Sequence, residues 1–212
     1  MPINIIFEQP AIGLAWVVAI LIALAIHEAA HAAAASALGD QTARDAGRLT
    51  LNPIAHLDPI GFIALLFIGF GWGKPVPFDA RQLRYPRWGP ALVAIAGPAA
   101  NLIGLIVSGL VLRVFENTAA LSSNNLLVFA LAFFFQINLV LLLFNCIPIP
   151  PLDGSKVLLG ALDRPQFDQI RFFLETRGPF MLIALLIIDS MLGGALFGRG
   201  LHAALNWAAG LF

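Results

Sequence analysis

The fold of this chain is decided by the stretch from Ala11 to Leu38, which reads AIGLAWVVAILIALAIHEAAHAAAASAL. It carries no charge from Gln9 to Ile26, and ionisable residues then appear together as His27, Glu28 and His31. A helix needs about 20 mostly apolar residues to cross a bilayer, and this stretch is longer. We therefore predict a membrane-spanning helix that ends at Gly39, a residue type that commonly terminates helices.

The composition of the whole chain agrees with a membrane protein. Apolar residues make up 59% of its 212 residues and charged residues 11%, whereas soluble domains have roughly 45–50% and about 25%. These values exclude a soluble globular enzyme, a disordered chain and a coiled coil. The twelve basic and twelve acidic residues cancel, which leaves no basic face for nucleic acid.

Three further stretches are long enough to span a membrane. One runs from about Trp88 to Leu112, and another lies within Asn117 to Leu152, where Pro148 and the prolines after it should end the helix near Asn145. The last runs from about Pro179 to Phe197. We therefore predict an all-α polytopic membrane protein with about four transmembrane helices.

The connecting segments are shorter and more polar. The glycine-containing stretch Pro59 to Gly73 is too short for a span and is predicted to be re-entrant or interfacial. Residues 41–51 alternate loosely and could form short strands. Residues 153–162 and 166–176 are predicted to form two short cytoplasmic helices separated by Pro165. We treat residues 1–212 as one membrane domain, with a core at about 11–160 and C-terminal helices at about 161–212.

The basic residues predict the orientation of the chain. Six of the twelve lie between Gly39 and Arg87, and four lie between Asp153 and Arg177. Because cytoplasmic loops are enriched in Lys and Arg, these two segments are expected in the cytoplasm and both termini outside.

The sequence His27-Glu28-Ala29-Ala30-His31 places ionisable groups inside a predicted span, where they usually mark function. Histidines four residues apart lie on one helical face, so both imidazoles can bind one Zn²⁺. The intervening Glu28 can then reach a metal-bound water, which is the HExxH arrangement of zinc metalloproteases. The alternative is a pair of core histidines that form hydrogen bonds between helices.

A catalytic zinc site usually has three protein ligands, so a third must come from elsewhere in the chain. Asp153 is the best candidate, since it follows the proline-rich end of the third predicted span. Asp is also a favoured N-cap, and a helix is expected to start near Gly154. From the residues alone, both interpretations of Asp153 remain open.

Five motifs, in order, resemble those of the site-2 proteases, a family of zinc intramembrane metalloproteases. They are HEAAH at 27–31, NPIAHLDP at 52–59, GWGKPVP at 71–77, AGPAAN at 96–101 and FNCIPIPPLDG at 144–154. The resemblance covers roughly residues 11–160. It implies a zinc-dependent endopeptidase that hydrolyses peptide bonds within or near transmembrane segments, in a prokaryotic cell membrane. Because HExxH lies late in a span that enters the cytoplasm, the active site is expected toward the cytoplasmic side.

The resemblance also implies a role for each site residue. His27, His31 and Asp153 would hold one Zn²⁺, which favours ligation by Asp153 over capping. Glu28 would be the general base, and Asn145 would bind the substrate or its oxyanion. The PDZ and cystathionine-synthase-type domains of larger members are not seen, nor is a span before the HExxH helix.

Other candidates concern the substrate and the class of function. The segment from Gly69 to Val76, with Gly71 and Gly73, could pair with substrate as an added strand or be a simple turn. Asn52 and His56 are further substrate-binding candidates, although a turn histidine often bonds to backbone.

The alternative function is that of a non-proteolytic zinc-binding membrane protein or a transporter. The alanine- and glycine-rich helix faces also permit a homodimer.

Overall fold

The computed structural model describes residues 2–118, 125–194 and 197–211. Helices account for most of this part of the chain, and it contains no strand. We label the helices α1 (Pro2–Glu8), α2 (Pro10–Ala37), α3 (Thr42–Asp45), α4 (Pro53–His56), α5 (Pro59–Ile68), α6 (Gly89–Thr118), α7 (Leu126–Asn145), α8 (Gly154–Ala161), α9 (Asp168–Met191) and α10 (Phe197–Ala209).

Three of the described helices, α2, α6 and α7, are long and apolar enough to cross a membrane. They pack on one another, which confirms an all-α, multi-pass membrane protein. The fourth predicted span falls on α9, which is not one of the three. Its apolar half is bounded by Glu175 and Arg177 on one side and by Asp189 on the other. The predicted end of that span, at Phe197, follows residues 195 and 196, which lie outside the described ranges.

Small residues bring α2 close to its neighbours. Ala19 and Ala23 are buried on α2 and pack with Ile137 of α7. Without large side chains between them, two helix backbones can approach closely within a membrane. Helix α7 ends at Asn145, as predicted from the prolines that follow it.

The strands expected at residues 41–51 are absent from the structure, and this part of the prediction was wrong. The segment contains the short helix α3. Its entry is fixed by Asp40, whose Oδ1 accepts hydrogen bonds from the Thr42 N–H (2.9 Å) and Thr42 Oγ1 (2.6 Å). Such local bonds from a side chain to backbone favour a turn or a helix start over an extended strand.

The short apolar segment after residue 58 forms helix α5, which is ten residues long. Asp58 caps its start by accepting a hydrogen bond from the Gly61 N–H at 2.8 Å. Gly69 ends it in the left-handed conformation, with φ of 83°, a region that only glycine occupies readily. A segment without regular secondary structure follows, and Gly73 within it lies against Leu24 of α2.

The first predicted cytoplasmic helix corresponds to α8, but the second does not end near Thr176. Helix α9 continues through Pro179 to Met191, because a proline removes only one main-chain donor and the apolar residues beyond it favour the same helix. Gly178 lies against Pro150, and a Cβ at this position would be 2.9 Å from the Pro150 Cβ. This contact places α9 beside the proline-rich turn that precedes Asp153.

Candidate metal centre

Two histidines of α2 form one half of the site. His27 and His31 lie one helical turn apart, and both are buried. Their Nε2 atoms are 3.0 Å apart, and the ring planes are perpendicular. The HExxH pair therefore presents two nitrogens to a single point, as the spacing predicts.

The other nitrogen of each ring is committed to a hydrogen bond. His27 Nδ1 donates to Asn101 Oδ1 at 2.6 Å, and His31 Nδ1 donates to the Val93 carbonyl at 2.8 Å. A neutral imidazole carries one proton, so this network assigns it to Nδ1 in both rings. Both Nε2 atoms are left with lone pairs, which is the form that binds a metal.

Asp153 completes the group from the opposite side of the fold. Its Oδ2 lies 3.3 Å from His27 Nε2 and 3.2 Å from His31 Nε2. This oxygen is buried, and with both Nε2 atoms unprotonated it has no hydrogen-bond donor. Asp153 stands at the start of α8 but makes no capping hydrogen bond, so the capping interpretation does not explain its side chain.

The three ligand atoms have the chemistry of a cation site. Two nitrogen lone pairs and one carboxylate oxygen, all within 4.8 Å of one another, repel each other unless a cation lies between them. The donor set of two imidazoles and one carboxylate, with an open position, fits catalytic Zn²⁺.

A chain of buried, hydrogen-bonded asparagine amides binds the Nδ1 side of the His27 ring. Asn101 accepts from His27 and donates through Nδ2 to Asn138 Oδ1 at 2.9 Å, and Asn138 donates to the Phe134 carbonyl at 2.7 Å. Neither asparagine is exposed to solvent. Hydrogen-bonded residues behind a ligand fix its tautomer and orientation. Asn101 is the last residue of the AGPAAN motif, but no role was predicted for it from the sequence.

Gly97 of the same motif packs directly on the rings of His27 and His31. A Cβ at this position would be 2.5 Å from His31 Cε1 and 2.6 Å from His27 Cε1. Any side chain here would therefore displace the imidazoles. The sequence signal for Gly97 was its place in the AGPAAN motif. The spacing of residues along the chain does not predict that Gly97 contacts the rings of His27 and His31.

Glu28 follows His27 and is also buried in the protein, with 9% of its surface exposed. It lies on the same helix as His27 and His31, one residue after the first and three before the second. The structure therefore brings the predicted base together with the three predicted ligands.

An apolar cavity of about 650 Å³ lies beside Asp153. Its walls include Pro98 and Leu102 of α6 and Leu142 of α7, together with Asn145 and Asp153. The Asn145 amide donates to the Leu141 carbonyl at 3.0 Å. Asn145 and Asp153 thus border one space.

The predicted substrate-binding residues lie on the segments around α4 and after α5. Asn52 caps α4, since its Oδ1 accepts from the Ile54 N–H at 3.1 Å. Gly71 packs on α5, where a Cβ would be 2.7 Å from the Leu65 Cβ. Gly73 lies between Leu24 of α2 and the His56 carbonyl. These contacts give each of the three a packing or capping role.

A multi-pass membrane protein with an HExxH helix and a distant aspartate in one cation-binding centre belongs to the class of membrane metalloproteases. Comparisons with known proteins agree. Residues 106–186 match the model of peptidase family M50. Relatives named "Putative zinc metalloprotease" include YwhC of Bacillus subtilis (strain 168) and Rip2 of Mycobacterium tuberculosis (strain H37Rv). No solved structure matches the chain.

The extent of these similarities establishes the family. YwhC is 44% identical over 147 residues, which cover 67% of this chain and 66% of the relative. Rip2 is 31% identical over 186 residues, which cover 84% of this chain and 68% of the relative. The chain belongs to peptidase family M50, and its resemblance to the site-2 proteases is confirmed. It spans about two thirds of the length of these relatives.

Proposed function

We propose that this chain is a zinc-dependent endopeptidase that hydrolyses peptide bonds within or near the transmembrane segments of other membrane proteins. One observation carries the proposal: the lone pairs of His27 Nε2, His31 Nε2 and Asp153 Oδ2 converge within 3.0–3.3 Å, with no donor among them. Family membership supports the same chemistry. Glu28, on the same helical turn, supplies the base that hydrolysis requires.

Different residues of this chain serve metal binding, proton transfer and oxyanion binding in peptide hydrolysis. His27, His31 and Asp153 would hold Zn²⁺, which lowers the pKa of bound water and polarises a carbonyl. Glu28 accepts a proton from the attacking water and passes it to the leaving nitrogen. Asn145 can place a second amide hydrogen toward the oxyanion, since one already binds Leu141.

The position of the site supports a membrane-embedded substrate. His27 and His31 lie in the second half of the spanning helix α2, and the adjacent cavity is lined mostly by apolar side chains of α6, α7 and α8. An apolar peptide segment fits such walls better than a charged one. The basic segments 39–87 and 153–177 support a cytoplasmic placement of this end of α2.

The test compares the wild type with the Glu28→Gln variant, both purified in detergent. Zinc per chain is measured, and both proteins are incubated with a panel of single-span membrane proteins. We expect one zinc in each protein and cleavage by the wild type only. If both bind zinc and neither cleaves any substrate, a non-proteolytic zinc-binding membrane protein becomes the better interpretation. If neither binds zinc, the proposed metal centre is wrong.

A further inference from the structure

A cavity separate from the one beside Asp153 lies where α6 begins. It has a volume of about 260 Å³ and is bordered by the residues just before α6, by α8 and by the first two turns of α9. Three basic and two acidic side chains line it, namely Arg87, Lys156, Arg171, Asp163 and Glu175. The charged residues of the cavity wall therefore carry one net positive charge.

Ion pairing inside this cavity leaves Lys156 without a partner. Arg171 Nη1 donates to Asp163 Oδ1 at 2.5 Å, so these two charges neutralise each other. Lys156 of α8 forms no ion pair or hydrogen bond within the described part of the chain. The remaining acid, Glu175, is exposed at the surface. A cation without a counter-charge in the wall of a cavity favours an anionic ligand.

Arg87 supplies a second cation, and its guanidinium group is held in place. Its Nε donates to the Gly160 carbonyl of α8 at 3.1 Å, and its guanidinium carbon lies 5.3 Å from the centre of the Trp88 ring. Gly160 packs against the same ring, where a Cβ would be 3.2 Å from Trp88 Cε3. The other two guanidinium nitrogens have no partner among the described residues. A guanidinium held in this way is suited to bind phosphate oxygens.

The cavity lies at the level of a membrane surface. The spanning helix α6 begins at Gly89, and the side chains of Tyr85 and Trp88 just before it are 51% and 42% exposed. Tyrosine and tryptophan are enriched where the hydrocarbon core meets the lipid headgroups. Apolar side chains complete the wall of the cavity, among them Phe78, Pro90 and Leu159. A phospholipid matches both kinds of wall, whereas free phosphate matches only the charged one.

We propose that this cavity binds the headgroup phosphate of an anionic phospholipid. Lys156 and Arg87 bind the phosphate oxygens, and the apolar side chains contact the glycerol and the adjoining part of the acyl chains. The single negative charge of such a lipid balances the net positive charge of the cavity. Basic cavities beside membrane-spanning helices commonly bind lipid headgroups in this way. The proposal is independent of the proposed proteolytic activity.

Lipid binding is measured on the full-length protein in detergent, without reference to cleavage. Phosphatidylglycerol, which is anionic, and phosphatidylcholine, which is zwitterionic, are titrated with identical acyl chains, and bound lipid is counted by native mass spectrometry. We expect the wild type to bind phosphatidylglycerol at least about 5-fold more tightly. Equal affinity for the two lipids would overturn the proposal. Inorganic phosphate is then added as a competitor. If it displaces phosphatidylglycerol at concentrations equal to that of the lipid, the site binds free phosphate and the assignment to a lipid is wrong.

Two variants with opposite expected effects test whether the lipid binds in this cavity. Lys156→Gln removes the unpaired cation and should weaken binding of phosphatidylglycerol about 5-fold. Glu175→Gln removes the unpaired acid and should strengthen it by a similar factor. The control Arg164→Gln removes a positive charge from an exposed residue that does not line the cavity, and its affinity should equal that of the wild type.

Equal weakening in Lys156→Gln and Arg164→Gln would indicate attraction to the basic surface as a whole and would overturn the proposal. A gain of affinity cannot result from misfolding. Unchanged or weaker binding by Glu175→Gln would therefore contradict the proposal even if Lys156→Gln failed to fold. A wild type that binds phosphatidylglycerol but cleaves no substrate counts against the protease proposal alone.

Discussion

The Nδ1 atom of His27 lies 2.6 Å from Asn101 Oδ1, although 74 residues separate the two along the chain. This bond fixes the proton of His27 on the nitrogen that faces away from the proposed metal centre. Asn101 is itself held by Asn138. The orientation of one proposed metal ligand on α2 therefore depends on amides from α6 and α7.

The Asn101→Leu variant is expected to bind zinc about 10–100-fold more weakly, because an unsupported His27 samples other orientations and the second tautomer. Zinc affinity is measured in detergent by competition with a chelator. The control is Asn117→Leu, which alters an exposed residue of the same helix. Equal zinc affinity in Asn101→Leu and the wild type would show that the bond does not support the ligand.

The Gly97→Ala variant is expected to lose bound zinc, since the added methyl group would overlap both ligand rings. The control is Gly200→Ala on α10, where a Cβ meets no atom within 4 Å and alanine favours the helix. Zinc per chain is measured for both variants after purification. Full zinc occupancy in Gly97→Ala would mean that α6 can move away from α2.

Asp153→Asn separates the two interpretations of that residue. Asparagine is as good an N-cap as aspartate, so a capping role predicts no change in zinc content or stability. Asparagine is neutral and therefore replaces a carboxylate ligand poorly. If Asp153 is a ligand, the variant should lose both zinc and cleavage. Because the side chain makes no capping bond, we expect zinc loss without unfolding, as judged by the thermal transition of the zinc-free proteins.

The sequence predicted the features of this molecule that depend on local pattern. Apolar runs located α2, α6 and α7, prolines located the end of α7 at Asn145, and the spacing of His27 and His31 defined a metal-binding face. The burial of Asn101 and the contact of Gly97 with the ligand rings depend on how α6 packs against α2, which local pattern does not specify. The strands expected at 41–51 were wrong because the bonds from Asp40 to Thr42 favour a turn.

The apolar cavity beside Asp153 offers a test of the substrate path. Ala99 lines this cavity on α6, and the Ala99→Phe variant would fill part of it. We expect cleavage to fall at least about 10-fold through loss of substrate fit, with zinc content unchanged. The control Ile103→Phe adds an aromatic ring to an exposed position of the same helix that does not line the cavity. Equal cleavage by the wild type and Ala99→Phe would exclude this cavity as the path.

Asp40 makes the stability of the turn after α2 depend on pH. Burial raises the pKa of Asp40, but hydrogen bonds from Thr42 and from the Asp79 N–H (2.7 Å) outweigh it and lower that pKa below the usual value. The stabilisation is therefore complete above the pKa of an unfolded carboxyl, about 3.9, and is lost as pH falls through the lowered native value.

At neutral pH, Asp40→Asn should cost about 1–3 kcal/mol of unfolding free energy, since an amide donor then faces the Asp79 N–H. Thermal unfolding in detergent, followed from pH 7 to about pH 3, should show this difference shrinking in acid. The Asp45→Asn variant removes the same charge from an exposed position and should show no such convergence. A constant difference across the pH range would mean that Asp40 does not stabilise the turn through its charge.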